Sequence, residues 1–328
     1  MTPRDAGWGL GVREGLRVIY LGGLGRSGST LLERLLGELP GVSALGEVVH
    51  MWRRGVVEDE RCGCGEAFSS CGFWSQVGKS AFDGWDKISV DRLTRLREAT
   101  DRTRFIPLLA GRRLSAAGRE RLTEYTDHYL RVYEAVAEAT GAATLIDSSK
   151  HASLAFCLRR RPEIDLRVVH LVRDSRAVAY SWTTRVARPD ASAESYMTTY
   201  PPVRAAAQWN IENYAIALLA RRGTPVLRVR YEDLVAAPEQ TMLLLAEFAG
   251  LGADASALDF IGTEGDSRFA VLHEAHTASG NPMRFATGKI GIRGDERWQT
   301  AMPDAHRRTV TAMTLPLLKH YGYLGRPG

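Results

Sequence analysis

Between residues 22 and 30 the chain reads Gly22-Gly23-Leu24-Gly25-Arg26-Ser27-Gly28-Ser29-Thr30: four glycines, one guanidinium and three hydroxyls in nine residues. Glycines let several backbone N–H groups converge on one anion, and at a helix N-terminus the dipole adds to that pull. The frame from Gly23 to Gly28 fits the GxxxxG of a Walker A loop, but Ser29-Thr30 stand where Lys-Ser or Lys-Thr would follow. The cation available to a phosphate is instead Arg26, whose planar fork can grip an anion bidentately. That suits a nucleotide whose transferred group is not a magnesium-bridged γ-phosphate. A second anion site is readable in Leu171 to Trp182, LVRDSRAVAYSW. If Asp174 or Ser175 caps a helix there, Ser181 falls about two turns beyond Arg173 and both can face one phosphate, with Arg185 one turn further on the same face. Thr144-Leu145-Ile146-Asp147 resembles a Walker B strand ending in a metal-binding carboxylate, although Asp147 could equally cap the next helix.

These residues need elements to position them. Arg17 to Gly22 (RVIYLG) reads as a buried strand, and leucines 31, 32, 35, 36 and 39 have helical spacing up to Pro40-Gly41. Strand, glycine loop and helix therefore follow one another. Residues 1 to 16 form a glycine-bearing lead-in, and residues 48 to 142 a largely helical insertion whose clearest helix runs from about Arg119 to Ala139. Strand patterns return at Ala143 to Ile146, Leu166 to Val172 and Pro225 to Val229, separated by helical patterns at Leu154 to Arg160 and Val203 to Arg221. Such alternation predicts a parallel, doubly wound α/β sheet in one domain over residues 17 to 328. A last helix is expected at Pro238 to Ala249, and residues 262 to 300 read as an irregular functional loop.

Composition narrows the function classes. The 328 residues are 45% hydrophobic and 25% charged, which supports a sizeable core and excludes disorder. Net charge is +5, with basic residues scattered, so no nucleic-acid face is expected. The run Val18 to Leu21 is far too short for a membrane span, and four cysteines without a secretory signal fit a reducing cytoplasm.

GRSGSTLLERLL at 25 to 36, RDSRAVAYS at 173 to 181 and VRYEDL at 229 to 234 together resemble, in order and spacing, the nucleotide-binding elements of sulfotransferases that use 3'-phosphoadenosine 5'-phosphosulfate. The likeness is to bacterial sulfotransferases and, through GRSGST…GE, to the tyrosylprotein sulfotransferases. It implies a P-loop-type fold in which Arg26, Ser27, Gly28, Ser29 and Thr30 hold the 5'-phosphosulfate, while Arg173 and Ser181 hold the 3'-phosphate. Arg185 and Tyr231 match further nucleotide-contacting positions. His276 to Trp298 resembles the family's last nucleotide loop while departing from its KGxxGDWK form, which brings in Asn281, Arg284 and Arg293.

The acceptor hydroxyl requires a base, from His or a carboxylate. Glu47 lies 21 residues after Arg26, a spacing that resembles the catalytic Glu of the tyrosylprotein type. His50, one helical turn later, is the other candidate, because cytosolic small-molecule sulfotransferases use a histidine. Lys150, in the DSSK turn after the strand, could stabilise the transferring group together with Arg26, or could be a surface lysine. No metal is then required for transfer. The expectation is a cytoplasmic enzyme acting on a small-molecule hydroxyl, its acceptor site lined from 48–142 and 186–202. The other readings are a magnesium-dependent P-loop kinase or nucleotide triphosphatase using Asp147, and an inactive nucleotide-binding scaffold.

Cys62, Cys64 and Cys71 are read as packing without chemistry, because CxC is not the usual CxxC knuckle. A disulfide and a zinc site are the other readings of the three. Tyr125, Tyr129 and Tyr133 read as a core-packed helix face, and His273 and His276 as solvated loop histidines.

Overall fold

Strand β1, Leu16–Gly22, alternates its side chains between two cores. Val18 and Tyr20 enter one apolar cluster, Ile19 and Leu21 the other. The computed structural model describes residues 15–111, 113–189 and 196–325. Most of the 1–16 lead-in, and 190–195 of the expected acceptor lining, lie outside the described residues.

Four more strands join β1 in a wholly parallel sheet: β2 (Val42–Ala44), β3 (Thr144–Lys150), β4 (Ile164–Val172) and β5 (Val226–Arg230), in the order β2-β3-β1-β4-β5. Helix α1 (Ser29–Gly37) leads from β1 toward the β2 side, whereas the chain from β3 crosses back to β4. The direction of winding therefore changes beside β1. A crevice opens at the carboxyl edge at such a point.

Between β2 and β3 the chain forms α2 (Val48–Met51), a π-helical turn (Trp52–Val57), α3 (Gly72–Phe82), α4 (Val90–Thr100), α5 (Ile106–Ala110) and α6 (Ala116–Thr140). This is the helical insertion expected from the sequence. Helix α6 starts where Ser115 caps the Gly118 amide and ends at Gly141. Its Tyr125, Tyr129 and Tyr133 are fully buried, as their spacing implies. Their hydroxyls do more than pack: Tyr125 donates to Asp101 at 2.8 Å and Tyr133 to Asp147 at 2.5 Å.

Helix α7 (Ala152–Leu158) and α9 (Pro202–Arg221) join α6 on the Val18 face. On the Ile19 face lie α1, α10 (Tyr231–Ala236) and α11 (Pro238–Ala249). Helix α8 (Ser175–Thr183) starts at the carboxyl end of β4, with Asp174 accepting from the Arg176 amide as its cap.

Three expectations need correction. Residues 262–300 are not irregular: β6 (Ile261–Glu264), β7 (Ser267–Leu272) and β8 (Gly288–Ile292) form an antiparallel sheet, whose short, glycine-interrupted strands gave no clear period. Two helices follow the last expected one, α12 (Trp298–Ala301) and α13 (Asp304–His320). Helix α13 is anchored by Val310, Leu317 and Leu318 although its sequence is polar and contains Pro316. Strand β3 does not end at Asp147 but runs to Lys150, so Ser148 and Ser149 are strand residues rather than a turn.

Glu33 shows how α1 holds this arrangement. Buried among leucines, its carboxylate accepts from the Gly46 amide at 2.6 Å and from the Ser148 hydroxyl at 2.8 Å, joining α1 to the ends of β2 and β3. Burial outweighs these donors and raises its pKa to about 7. The folded state thus keeps a proton that the unfolded chain gives up near its ordinary value of 4.5. This contribution to stability is complete below that value and lost as pH rises through about 7. Asp147, raised to about 6, and Glu212, raised to about 7, act in the same sense. Glu33→Gln, which keeps an acceptor for Gly46, is expected to flatten part of the decline in stability between pH 5 and 7. Denaturant midpoints at the two pH values check this; an unchanged decline would place the proton elsewhere.

Candidate active site

The loop from Gly23 to Gly28 connects β1 to α1, and its close packing explains its glycines. A side chain at Gly28 (φ +91) would meet the Tyr231 ring at 2.3 Å. Trp182 of α8 donates its indole N–H to the Gly25 carbonyl at 3.0 Å and lies 5.4 Å from the Arg26 guanidinium. Arg26 itself has φ +73, a conformation disfavoured for a residue with a side chain. Its Nε and Nη2 are buried and take no partner among the described residues. Burial pushes its pKa down and the charge of Glu47 opposes this. Ser27, Ser29 and Thr30 lie beside it, all buried, at the start of α1.

Arg173 is placed at the end of β4 and stacks on Tyr231 at 4.7 Å. It donates to the Arg26 carbonyl at 3.1 Å and to the Asp295 carbonyl at 3.0 Å, thereby bridging the glycine loop to the segment after β8. Tyr231 donates to the Arg293 carbonyl at 3.1 Å, while the Arg293 side chain is exposed. Ser181 is half-buried on α8.

Arg185 departs from its expected position. Helix α8 ends at Thr183, so Arg185 is not carried on the face of Ser181; it is exposed and lies 4.1 Å over the Tyr196 ring. Arg284 is buried, donating to the Thr277 carbonyl at 2.7 Å and to the Arg61 carbonyl, and so clamps two loops. Asn281 caps the turn at Met283 through its side chain. Asp147 is fully buried and accepts from the Tyr133 hydroxyl, the Ser149 amide and the Ser149 hydroxyl.

Glu47 and Lys150 meet at the carboxyl edge. Lys150 Nζ lies 2.6 Å from Glu47 Oε1 and 2.9 Å from the Ser148 carbonyl. His50 Nε2 lies 3.5 Å from Glu47 Oε2. Burial alone would raise the Glu47 carboxyl, but Lys150, then His50 and Arg54, hold it at about 2. Burial lowers His50 to about 3 despite Glu47, so its ring is neutral at pH 7. Glu47 and His50, three residues apart, are thus in one site with Lys150 rather than alternatives in separate places.

A sequence model of the Sulfotransferase family matches residues 19–255, more than half of the chain. The chain belongs to the sulfotransferase family. No match is found among curated proteins. Among solved structures it is similar to the sulfotransferase domain of the Synechococcus PCC 7002 olefin synthase (18% identity, 94% of this chain and 96% of that one, TM-score 0.49). It is also similar to the sulfotransferase domain of the curacin biosynthetic pathway (16% identity, 93% and 97%, TM-score 0.48). Membership rests on the family match.

Trp182, Glu33 and Asp295 lie inside the motif segments but have no role assigned there; each contributes through its position in the fold. The three cysteines had a pattern but no apparent fourth partner. His276, expected in solvent, is half-buried, with Nδ1 3.4 Å from Cys71 Sγ and 3.7 Å from Cys62 Sγ.

Because Lys150 is the largest influence opposing burial at Glu47, Lys150→Met should leave burial dominant and raise the Glu47 pKa. If the carboxylate is the active form, the acid limb of the rate profile shifts to higher pH, beyond any overall loss of rate. A limb that stays in place would separate Glu47 from catalysis.

Proposed function

We propose that the chain moves a sulfuryl group from 3'-phosphoadenosine 5'-phosphosulfate to a hydroxyl of a small-molecule acceptor, with Glu47 as the base. The observation that carries this is Arg26: a guanidinium with buried, unpartnered donors at a glycine loop and helix N-terminus suits an anion, and Glu47 and Lys150 are close by. The donor supplies an activated sulfuryl group and a bisphosphate that leaves with its charge.

Arg26, the hydroxyls of Ser27, Ser29 and Thr30, and the amides after Gly28 grip the 5' end. Arg173 and Ser181, with Tyr231 beneath the guanidinium, hold the 3'-phosphate. Arg293 and Asn281 come from the closing segment, and Arg185 reaches in from beyond α8. Arg284 serves by fixing that segment. Glu47 receives the acceptor proton as the new S–O bond forms. Lys150 restrains the carboxylate beforehand; as its ammonium turns to the charge developing on the donor, Glu47 loses the partner that depresses its pKa and becomes the stronger base. His50, neutral, orients the second carboxylate oxygen. The acceptor site is lined by the insertion and by residues 186–202.

Arginine, lysine and hydroxyl donors meet the charge of this transfer without a bridging metal. A magnesium-dependent triphosphatase is the weaker reading, because Asp147, its metal ligand, is enclosed by Tyr133 and Ser149. Among the described residues no helix is long and apolar enough to cross a membrane. The reading proposed here takes a small-molecule acceptor met in the cytoplasm.

Calorimetric titration with 3'-phosphoadenosine 5'-phosphate, free of magnesium, is expected to give tight binding, with ADP and magnesium-ATP much weaker. Arg26→Ala should weaken the bisphosphate by about tenfold or more, in line with the loss of a charge-assisted contact. Glu47→Ala should cut turnover by about a hundredfold or more while nearly keeping that affinity. Preference for magnesium-ATP would overturn the proposal, and a tight bisphosphate complex with no turnover on any hydroxyl acceptor would favour the scaffold reading.

A further inference from the structure

Cys62, Cys64, Cys71 and His276 come together although 205 residues separate Cys71 from His276. Their four candidate ligand atoms all lie within 4.8 Å of one another. We propose that these side chains form a structural zinc site of Cys3His type, which ties the hairpin at 61–67 and the start of α3 to the segment leading to Glu47.

Three of the six ligand-to-ligand edges match those of a tetrahedron, and all six lie within 4.8 Å. Zinc at about 2.3 Å from sulfur and about 2.0–2.1 Å from nitrogen sets ligand-to-ligand edges near ~3.8 Å for two sulfurs and ~3.6 Å for sulfur and nitrogen. The corresponding separations are 3.7 Å for Cys64–Cys71, 3.7 Å for Cys62–His276 and 3.4 Å for Cys71–His276. Three thiolates and one imidazole select zinc over harder cations, and four protein ligands make a closed, non-catalytic site.

Backbone amides face two of the sulfurs. The Cys64 amide donates to the Cys62 sulfur, and the Trp74 amide to the sulfur of Cys71, which is the N-cap of α3. The hairpin is closed by the Arg61–Ala67 bridge and the Cys62 amide bond to the Glu66 carbonyl. His276 presents Nδ1 to the sulfurs while its ring stacks on Phe73 at 4.9 Å. At Gly63 a side chain would meet the Ala275 carbonyl at 2.3 Å, so the two loops touch directly.

Two and three residues after His276 the chain bonds the backbone of Leu45 and Glu47. The Ala278 amide donates to the Leu45 carbonyl at 2.8 Å and the Glu47 amide to the Ser279 carbonyl at 3.1 Å. The metal would hold Glu47 through this segment; that consequence, unlike the site itself, rests on the function proposed above.

The untagged full chain, produced in zinc-sufficient medium, is expected to contain about one zinc per chain by inductively coupled plasma mass spectrometry. X-ray absorption should give sulfur near 2.3 Å and nitrogen near 2.0–2.1 Å in a ratio of about three to one. Cys71→Ser and His276→Ala should each lose the metal, and Cys157→Ser, buried in α7, should retain it. Because loss of a ligand can also prevent folding, His276→Cys gives a second readout: zinc is kept, in an all-sulfur shell. Wild-type protein with four free thiols and no zinc, or with a Cys64–Cys71 disulfide in its intact mass, would overturn the site, whatever its activity. Metal content is independent of bisphosphate binding, so either proposal can fail alone.

Discussion

Buried guanidinium nitrogens with no acceptor among the described residues are a cost that an anion would remove, and the arrangement around Arg26 keeps that cost in place. The residue sits at positive φ in a turn, held from behind by Arg173 on its own carbonyl and from the side by Trp182 on the Gly25 carbonyl. Neither contact uses the Arg26 side chain. The loop backbone is therefore fixed by groups from β4 and α8 while the charged fork is left available. Gly28 completes the arrangement by letting the Tyr231 ring approach to where a Cβ would stand, and Tyr231 in turn supports Arg173. The proposed anion site thus depends on the carboxyl ends of β1, β4 and β5 at once, which only a parallel sheet brings to a common edge.

The other half of the site depends on burial balanced by charge. Glu33, Glu47 and Asp147 are carboxyl groups within a short stretch of the same edge, yet their environments drive them apart. Glu47 has an ammonium within 2.6 Å and is held near 2, whereas Glu33 and Asp147, satisfied by hydroxyls and amides, are raised to about 7 and about 6. The first is the only one of the three that stays fully ionised at neutral pH and also keeps some contact with solvent, at 15% side-chain exposure. A proton acceptor must be both, which is the physical ground, separate from any motif, for proposing Glu47 as the base.

What was legible in the sequence follows from how local each signal is. The strand, glycine loop and helix at 17–37 and the Asp174 cap are determined by neighbours within a few residues, and they stand almost where periodicity put them. Helix α11 begins and ends at Pro238 and Ala249 because a proline opens it and Gly250, at positive φ, closes it. By contrast, β2, β6, β7 and β8 are short, and glycines at 262, 288 and 291 interrupt their alternation; they become strands only through pairing. The polar α13 is helical through four buried residues that find α8 and α9. Helical spacing puts Arg185 on the Ser181 face only if α8 continues past Thr183, and no local feature marks its stop there. Nothing local in LLERLL marks Glu33 as buried; the Gly46 amide and the Ser148 hydroxyl, brought against it by the fold, make it so.

The three cysteines show the same limit from the other side. Spacing of Cys62, Cys64 and Cys71 offers three ligands and argues against a metal only while the fourth is missing. His276 lies on a loop that sequence proximity cannot connect to them; the connection is made by Arg284, whose fork bonds the Arg61 and Thr277 carbonyls together. That same clamp explains why Arg284 is buried instead of facing an anion. Its two bonded carbonyls flank the cysteine hairpin and the 277–279 segment, so a residue that motif likeness assigned to the nucleotide instead joins the ligand cluster to the backbone beside Glu47. Positioning of Glu47 therefore comes from outside the parallel sheet: β3 brings Lys150, but the amide of Glu47 is held by Ser279, and Ser279 by what anchors the segment before it.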